Sequence, residues 1–588
     1  MNQKRTRSQG RTRSGRKGQQ AHAAGQTLTT HRIGAMPILD QILKRMRLEE
    51  VFAEHLPRED ARTKVPTPKG LLVLVKNFLL SRDPLYGVGE WAAQYAPECL
   101  GLTPEQVAAI GDDRAGHWLD RLFFEGGGGG ATLLLAVVTH GMREFGVSLD
   151  QMHNDSTSIT VYGAYAEANV EKVQRGQKTV AITHGHNKDH RPDLKQLLYI
   201  LTVSDDGGVP VHFRVESGNV VDDKTHRQTW DLLVEIAGRT DFLYVADSKL
   251  ATKENMGYIH AKGGRFVTIL PRTRSEDTAF RKAVAEDRIA WRVIEEKHDK
   301  HGRLLDRISA STQPAQTAEG YPLLWYHSTA KAQRDAAARA DRIQRALGEL
   351  TALRKRLQSP RTRFRQRAKV AQAVEQILKP ADLDAWITVT IEEQVDERLR
   401  QTRRGPRNAS STYVKTSKPR FDIHYAIDHV RIARDAKSDG VFPLVTNDPQ
   451  LGELDVLHAY KGQPTIEKRF SQLKTDFAVA PVYFKEVRRI QAFLGVYFFA
   501  LMTQALLERE LRQAMERAGL ESLPLYPEGR PCRRPTARRI FELFDSVQRH
   551  TLEAEGQPPL HFVTALTPLQ RRILRLLDIN PANYGQPN

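Results

Sequence analysis

The sequence predicts an α/β protein: a mixed sheet interrupted by a long insertion, with helical regions at both ends. Three observations carry that expectation. Residues 31–146 show helical spacing of apolar side chains, and short β-rich runs separated by turn residues or helices fill 147–271. Regularity then lapses over 272–445 before a last sheet-and-helix segment at 446–510 and a basic helical region at 511–588. At 588 residues the chain is too long for one hydrophobic core, which implies several domains.

The N-terminal stretch "MNQKRTRSQGRTRSGRKGQQ" is basic and has no apolar core, so it does not read as a secretory signal. Residues 1–30 are expected to form a disordered basic tail that touches phosphates without reading sequence. In 31–146, "MPILDQILKRMRLEEVFAEHL" carries Ile38, Ile42, Met46 and Phe52 near helical spacing, and "PKGLLVLVKNFLL" reads as a short buried helix. "DDRAGHWLDRLFF" adds a helix that stops at the glycine run Gly126–Gly130. No Gly-Lys-Ser/Thr follows that run, so it is no phosphate loop. A small helical domain on a basic protein is expected to bind DNA.

Five runs follow: "SLDQMHNDS", "LLYILTVS", "VPVHFRVES", "DFLYVAD" and "RFVTIL". "DDGG" joins the second and third as a hairpin. "DDKTHRQTWDLLVEIAG" and "TKENMGYIHAKGG" read as helices closed by glycine. The order β-β-β-α-β-α-β is that of an RNase H-like sheet. Within the insertion, "KAQRDAAARADRIQRALGELTALRKRLQ" is a helix or helical hairpin with an apolar seam at Ile343, Leu347, Leu350 and Leu357, and "AWITVTIEE" and "RFDIHYAID" are expected to flank it as strands.

Bulk chemistry narrows the function classes. Lys and Arg number 88 against 70 Asp and Glu, a formal charge of +18. Such a surplus favours a polyanionic partner, because each neutralised phosphate releases counterions. Cys99 and Cys532 are the two cysteines, so neither a disulfide framework nor a cysteine zinc site is available, and a reducing cytoplasmic setting is expected. No run of eighteen apolar residues suggests a membrane span. His184, His186 and His190 in "THGHNKDH" lack the ligand pattern of a zinc site and are expected to face DNA or solvent.

Two predicted strands end in an acid: Asp155 in "HNDSTS" and Asp247 in "VADSKL". In an RNase H-like sheet those strands are neighbours, so the two carboxylates can share a hard divalent cation. A third acid, Glu467, sits on the amphipathic stretch "AYKGQPTIEKRFSQLKTDF" among Lys and Arg. Taken singly, each acid has a plainer role: Asp155 as a turn or cap residue, Asp247 as the N-cap of a helix near Ala251, Glu467 as a helix-surface acid. Their joint occurrence at strand, strand and helix is what points to a metal site.

Together these residues resemble the DDE transposases of bacterial insertion sequences, closest to the IS-four-like group marked by Tyr-x2-Arg-x3-Glu-x6-Lys. The positions here are Tyr460, Gln463, Glu467 and Lys474, with Gln463 where the family has Arg; the neighbouring Lys461 or Arg469 can supply the missing charge. The resemblance takes in "NKDHRPDLKQLLYILTVSDDG" and covers about residues 30–510. It implies that Asp155, Asp247 and Glu467 bind two Mg²⁺ or Mn²⁺ ions, that Tyr460, Gln463 and Lys474 contact DNA, and that a homodimer holds two element ends in a synaptic complex. Seven residues separate Lys474 from Glu467, so a regular helix would present both on one side, with Ile466, Phe470, Leu473 and Phe477 facing the core. The implied activity is cleavage at the terminal inverted repeats and joining of 3′ ends to target DNA, in a bacterial, nucleoid-associated protein. The rivals are a nuclease of the same fold without strand transfer and a repurposed DNA-binding protein that no longer cuts.

Overall fold

A computed structural model describes residues 20–585, apart from 24–25, 61, 82–83, 127–129, 166–172, 175–176, 186, 189–190, 221–224, 380–382, 403–404, 408, 410, 477–483 and 527. The chain divides into two compact units, Met1–Thr268 with His458–Asn588, and Ile269–Leu457.

In the first unit, the strands Gln151–Val161, Lys195–Ser204 and Pro210–Ser217 form an antiparallel meander. Leu243–Ala246 then pairs parallel to Gln151–Asn154, and Arg265–Ile269 parallel to Leu243–Ala246. In chain order the sheet is therefore 3-2-1-4-5. Lys195–Ser204 is buried over nearly its whole length, which is why "LLYILTVS" reads as a continuous apolar run rather than an alternating one. The "DDGG" turn takes positive φ at Gly207 and Gly208, and a Cβ at Gly208 would lie 2.4 Å from the Thr465 side chain. Crossover helices His226–Ala237 and Lys253–Ala261 supply the parallel connections. Gly238 ends the first in a left-handed conformation, and the Thr252 hydroxyl caps the second by accepting from Asn255 N at 3.2 Å.

The helix Val487–Arg517 is long and apolar enough to cross a membrane, but 89 % of its most apolar stretch is buried in the protein. It is a core helix. Phe498 stacks on Phe213 of the sheet at 4.8 Å, while Phe52 meets Phe499 and Phe78 stacks on Tyr497 at 4.2 Å. Asp120 receives hydrogen bonds from Arg488 and Arg489. The helices Met36–Arg45, Leu48–His55, Thr67–Leu80 and Asp112–Gly126 thus use their apolar stripes to wrap this helix, and the helical region 31–146 belongs to the first unit. The expected tail over 1–30 also ends in structure. Gln26–Arg32 is a strand paired with Gln548–Ala554, in a four-stranded sheet that includes Gln20–Ala23 and Leu560–Val563. The C-terminal region, expected to be helical, supplies that hairpin because a strand edge from the far end of the chain is there to pair with.

The second unit replaces the anticipated irregular insertion with defined elements. Trp291–His298, Leu304–Ser311, Pro322–Ser328 and Val441–Thr446 form an antiparallel sheet. Trp325 is buried there in a stack on Phe280 at 3.9 Å, a core role. The 30-residue helix Thr329–Gln358 buries Ile343, Leu350, Leu353 and Leu357 against Arg367–Leu378 and the base of a hairpin formed by Ile387–Gln401 and Tyr413–Ile427. Both hairpin strands follow the helix in sequence. They do not flank it as expected; they are partners of each other, joined by the short segment 402–412.

Candidate functional site

The parallel ladder between the first and fourth strands ends at the pair Asn154 and Ala246. Asp155 and Asp247 are the next residues on each strand, so the sheet brings their backbones side by side where the ladder stops. Asp155 is not at a strand end, because its strand runs on to Val161 through antiparallel pairing with Lys195–Ser204. It is neither turn nor cap residue. Asp247 does not cap the following helix, a task that falls to Thr252; its Oδ1 accepts Lys249 N at 3.0 Å. Its carbonyl accepts the Thr268 hydroxyl at 2.7 Å, which fixes the strand end.

Burial, and after it the charge of Asp247, pushes the Asp155 carboxyl above the usual carboxylate range. Lys188 opposes the shift. Its Nζ lies 3.2 Å from Asp155 Oδ1 and donates to Ser156 O at 2.6 Å and to Ser156 Oγ at 3.0 Å. This lysine is a member of the site. The signal in the sequence was faint: a lysine in a polar loop shortly before the second strand.

Glu467 lies on the short helix Pro464–Ser471, in its first turn, with an exposed side chain. Proline at the first helical position suits that start. Ile466, Phe470 and Leu473 are buried as expected; Phe477 falls outside the described residues. The helix widens into a π turn over Gln472–Asp476, so Lys474, which is partly exposed, is rotated away from the position that a regular helix would give it relative to Glu467.

What ties this helix to the Asp155 strand is His153. The imidazole is fully buried and donates from Nδ1 to Gln463 Oε1 at 3.1 Å. Its Nε2 lies 3.0 Å from Gln151 Nε2 and 3.3 Å from Asp205 Oδ1. A Cβ at Gly462 would fall 2.5 Å from the ring, so glycine is needed for this approach. Gln463, expected to contact DNA in place of Arg, is instead held by His153. Strand alternation could have pointed to His153, which shares a face with Asp155.

Arg469 requires a correction. It was expected to reach DNA, yet its side chain is buried and spends its donors inside the protein. It donates to Gly207 O and Gly208 O at 2.8 Å each, to Gln472 Oε1 at 2.7 Å and to Glu508 Oε2 at 3.2 Å. Burial pushes the Glu508 carboxyl upward, but Arg469, Lys468 and Arg512 outweigh it and hold it below its ordinary value. Lys461, at the end of the helix Glu453–Lys461, remains partly exposed.

Tyr460 reports how the three acids relate. Its phenol is pushed up to about 12 by burial and then by the charges of Asp247, Asp155 and Glu467. Tyr460 therefore stays a neutral hydroxyl across the working pH range, in the field of all three. Among the described residues, no three His, Cys, Asp or Glu side chains form a ready-made metal cage. The donor chemistry nonetheless fits a hard cation: oxygen ligands, with the Asp155 carboxyl raised by burial and, less, by its acidic neighbour.

No family model and no curated protein matches the sequence. One solved structure with a similar course of chain is the piggyBac transposase synaptic complex with hairpin DNA, at 7 % identity and a TM-score of 0.32, over 87 % of this chain and 79 % of that one. Likeness at that level bears on neither the details of the fold nor the reaction.

Proposed function

We propose that the chain is a DNA transposase of the DDE type, akin to the IS-four-like insertion-sequence enzymes, with an interrupted RNase H-like domain. The observation that carries this reading is the placement of the acids: a parallel ladder ending beside Asp155 and Asp247, and the Glu467 helix tied to the Asp155 strand through His153 and Gln463. The 3-2-1-4-5 strand order and a helix bearing the last acid are what such a domain has.

Asp155, Asp247 and Glu467 would hold Mg²⁺ or Mn²⁺, two ions in this type of reaction. Bound there, the metal would supply activation of the attacking oxygen and stabilisation of the leaving oxygen in phosphoryl transfer. The chain's own residues do the rest. Lys188 offsets carboxylate repulsion at Asp155. His153 and Gln463 hold the Glu467 helix against the strand, Tyr460 offers a neutral hydroxyl to a phosphate, and Lys461 and Lys474 offer charge to the DNA backbone. The partners are element ends and target DNA, with a homodimer in the synaptic complex of a nucleoid-associated bacterial protein.

The test is a cleavage and joining assay on DNA carrying the element's flanking inverted repeats, in Mg²⁺ and in EDTA. Metal-dependent joining that Asp155→Asn, Asp247→Asn and Glu467→Gln each abolish, with binding retained, supports the reading. Cutting without joining would favour a nuclease; binding without chemistry would favour a repurposed DNA-binding protein.

A further inference from the structure

The hairpin Ile387–Gln401 and Tyr413–Ile427 pairs residue for residue over its full length, from Ile387 with Ile427 to Gln401 with Tyr413. Fifteen residues per strand at about 3.4 Å each give a ribbon roughly 50 Å long. Its base is anchored: Ile387, Phe421 and Ile423 are buried against the helices, and Arg354 grips Asp422 with two hydrogen bonds of 2.9 Å. Beyond the contacts of Arg365 with Pro419 and of Arg420 with Gln358, its distal part is open. Val395 is 60 % exposed and Leu399 72 %, on a strand pair open to solvent. An uncovered hairpin of this length needs a reason to persist, since two strands alone are marginal in water.

Charge supplies one. The segment "RLRQTRRGPRNASSTYVKTSKPR", residues 398–420, contains eight Lys or Arg and no Asp or Glu. The acids of the hairpin lie nearer its base, where Asp396 faces Arg420 and Glu397 faces Lys415. Arg400 and Arg407 are exposed toward the tip, and Lys418, also exposed, lies lower on the ribbon, opposite Asp396 in the ladder. Alternation and register put Arg400 and Lys418 on one face of the ribbon, and Val395, Leu399 and Tyr413 on the other. A two-stranded ribbon fits the major groove of duplex DNA, and the surplus of cations over acids in its distal part matches phosphates on both sides of it.

We propose that this hairpin is an arm that grips duplex DNA through phosphate contacts from Arg400, Arg407 and Lys418. It rests on the DNA-partner part of the proposed function and does not depend on the chemistry. The arm adds affinity and carries no sequence preference of its own.

The experiment measures binding of the full chain to a labelled 40-base-pair duplex of arbitrary sequence in EDTA, across a salt series. The variant Arg400→Gln/Arg407→Gln/Lys418→Gln is compared with Lys300→Gln/Arg303→Gln/Lys355→Gln, which removes the same charge from exposed positions of the same unit outside the arm. Each lost phosphate contact lowers the slope of log K against log salt by about 0.9, so the arm variant should lose between two and three units of slope. Its binding at 0.1 M salt should weaken at least tenfold, and the control should keep its slope. Equal slopes in wild type and arm variant overturn the proposal, as does an equal fall in both variants. If Val395→Ser/Leu399→Ser instead changes the sedimentation coefficient and the arm variant leaves DNA binding alone, the ribbon contacts a second copy and the proposal is wrong. Loss of slope in a chain that never cuts DNA would sink the catalytic reading and leave the arm standing.

Discussion

Replacing Arg469 by Met should loosen the Glu467 helix far more than a surface arginine would. Arg469 is buried and fills four acceptors: the carbonyls of Gly207 and Gly208, Gln472 Oε1 and Glu508 Oε2. Met has similar bulk and no donor. Each neutral acceptor left buried without a partner costs about 1 kcal/mol. Glu508 keeps Lys468, Arg512 and the amide of Ala537, so its share is smaller than the roughly 3–5 kcal/mol of a buried pair broken outright. The total is about 4 kcal/mol. Because every partner lies in the Gly207–Gly208 turn, the π turn that follows the short helix or the long core helix, the loss should appear first as local opening. Hydrogen exchange of peptides covering Pro464–Ser471 is the assay, and about 4 kcal/mol corresponds to exchange nearly a thousandfold faster. Arg469→Lys, which keeps the charge and loses the fork, should fall between. Acceleration below tenfold in Arg469→Met would refute the claim that this arginine pins the helix and would return it to the pool of DNA-contact candidates.

Other outcomes follow from the same geometry. The Asp155 carboxyl titrates above its unfolded value, so its favourable contribution is present below about pH 4 and is lost as pH rises through the folded value; the ionised form then opposes folding. In EDTA at pH 8, Asp155→Asn should therefore melt higher than wild type, with the gap closing toward pH 4; a lower melting temperature at pH 8 would contradict it. Mg²⁺ should raise the melting temperature of wild type, by about 2.7 kcal/mol of stabilisation at a hundred times its Kd, and leave Asp155→Asn nearly unmoved. Gln463→Arg, which restores the residue usual in the resembling family, should not tighten DNA binding, because the position faces His153; a clear gain in affinity would show that the side chain swings outward. Tyr460→Phe should leave the alkaline limb of any rate profile unchanged up to about pH 10, since the phenol titrates near 12; a limb that disappears on substitution would assign it to Tyr460.

By itself the sequence determined the local elements and the pairing of acid with element. Apolar runs, "DDGG" and the glycine stops dictated five strands and two crossover helices, because backbone conformation there depends on neighbours a few residues away. Spacing around Glu467 was enough to separate an exposed acid from the buried Ile466, Phe470 and Leu473. What lay beyond it were the choices made by distant residues. Whether Arg469 meets phosphate or Glu508 depends on a helix 39 residues later and a turn 261 residues earlier. His153 gains its role from Gln463, 310 positions away. The strand at Gln26–Arg32 exists because Gln548–Ala554 offers it a ladder, and the N-terminal helices are committed to wrapping Val487–Arg517. Burial and pairing across such separations are properties of the packed chain, and only tertiary structure could decide which cations face outward and which are consumed within.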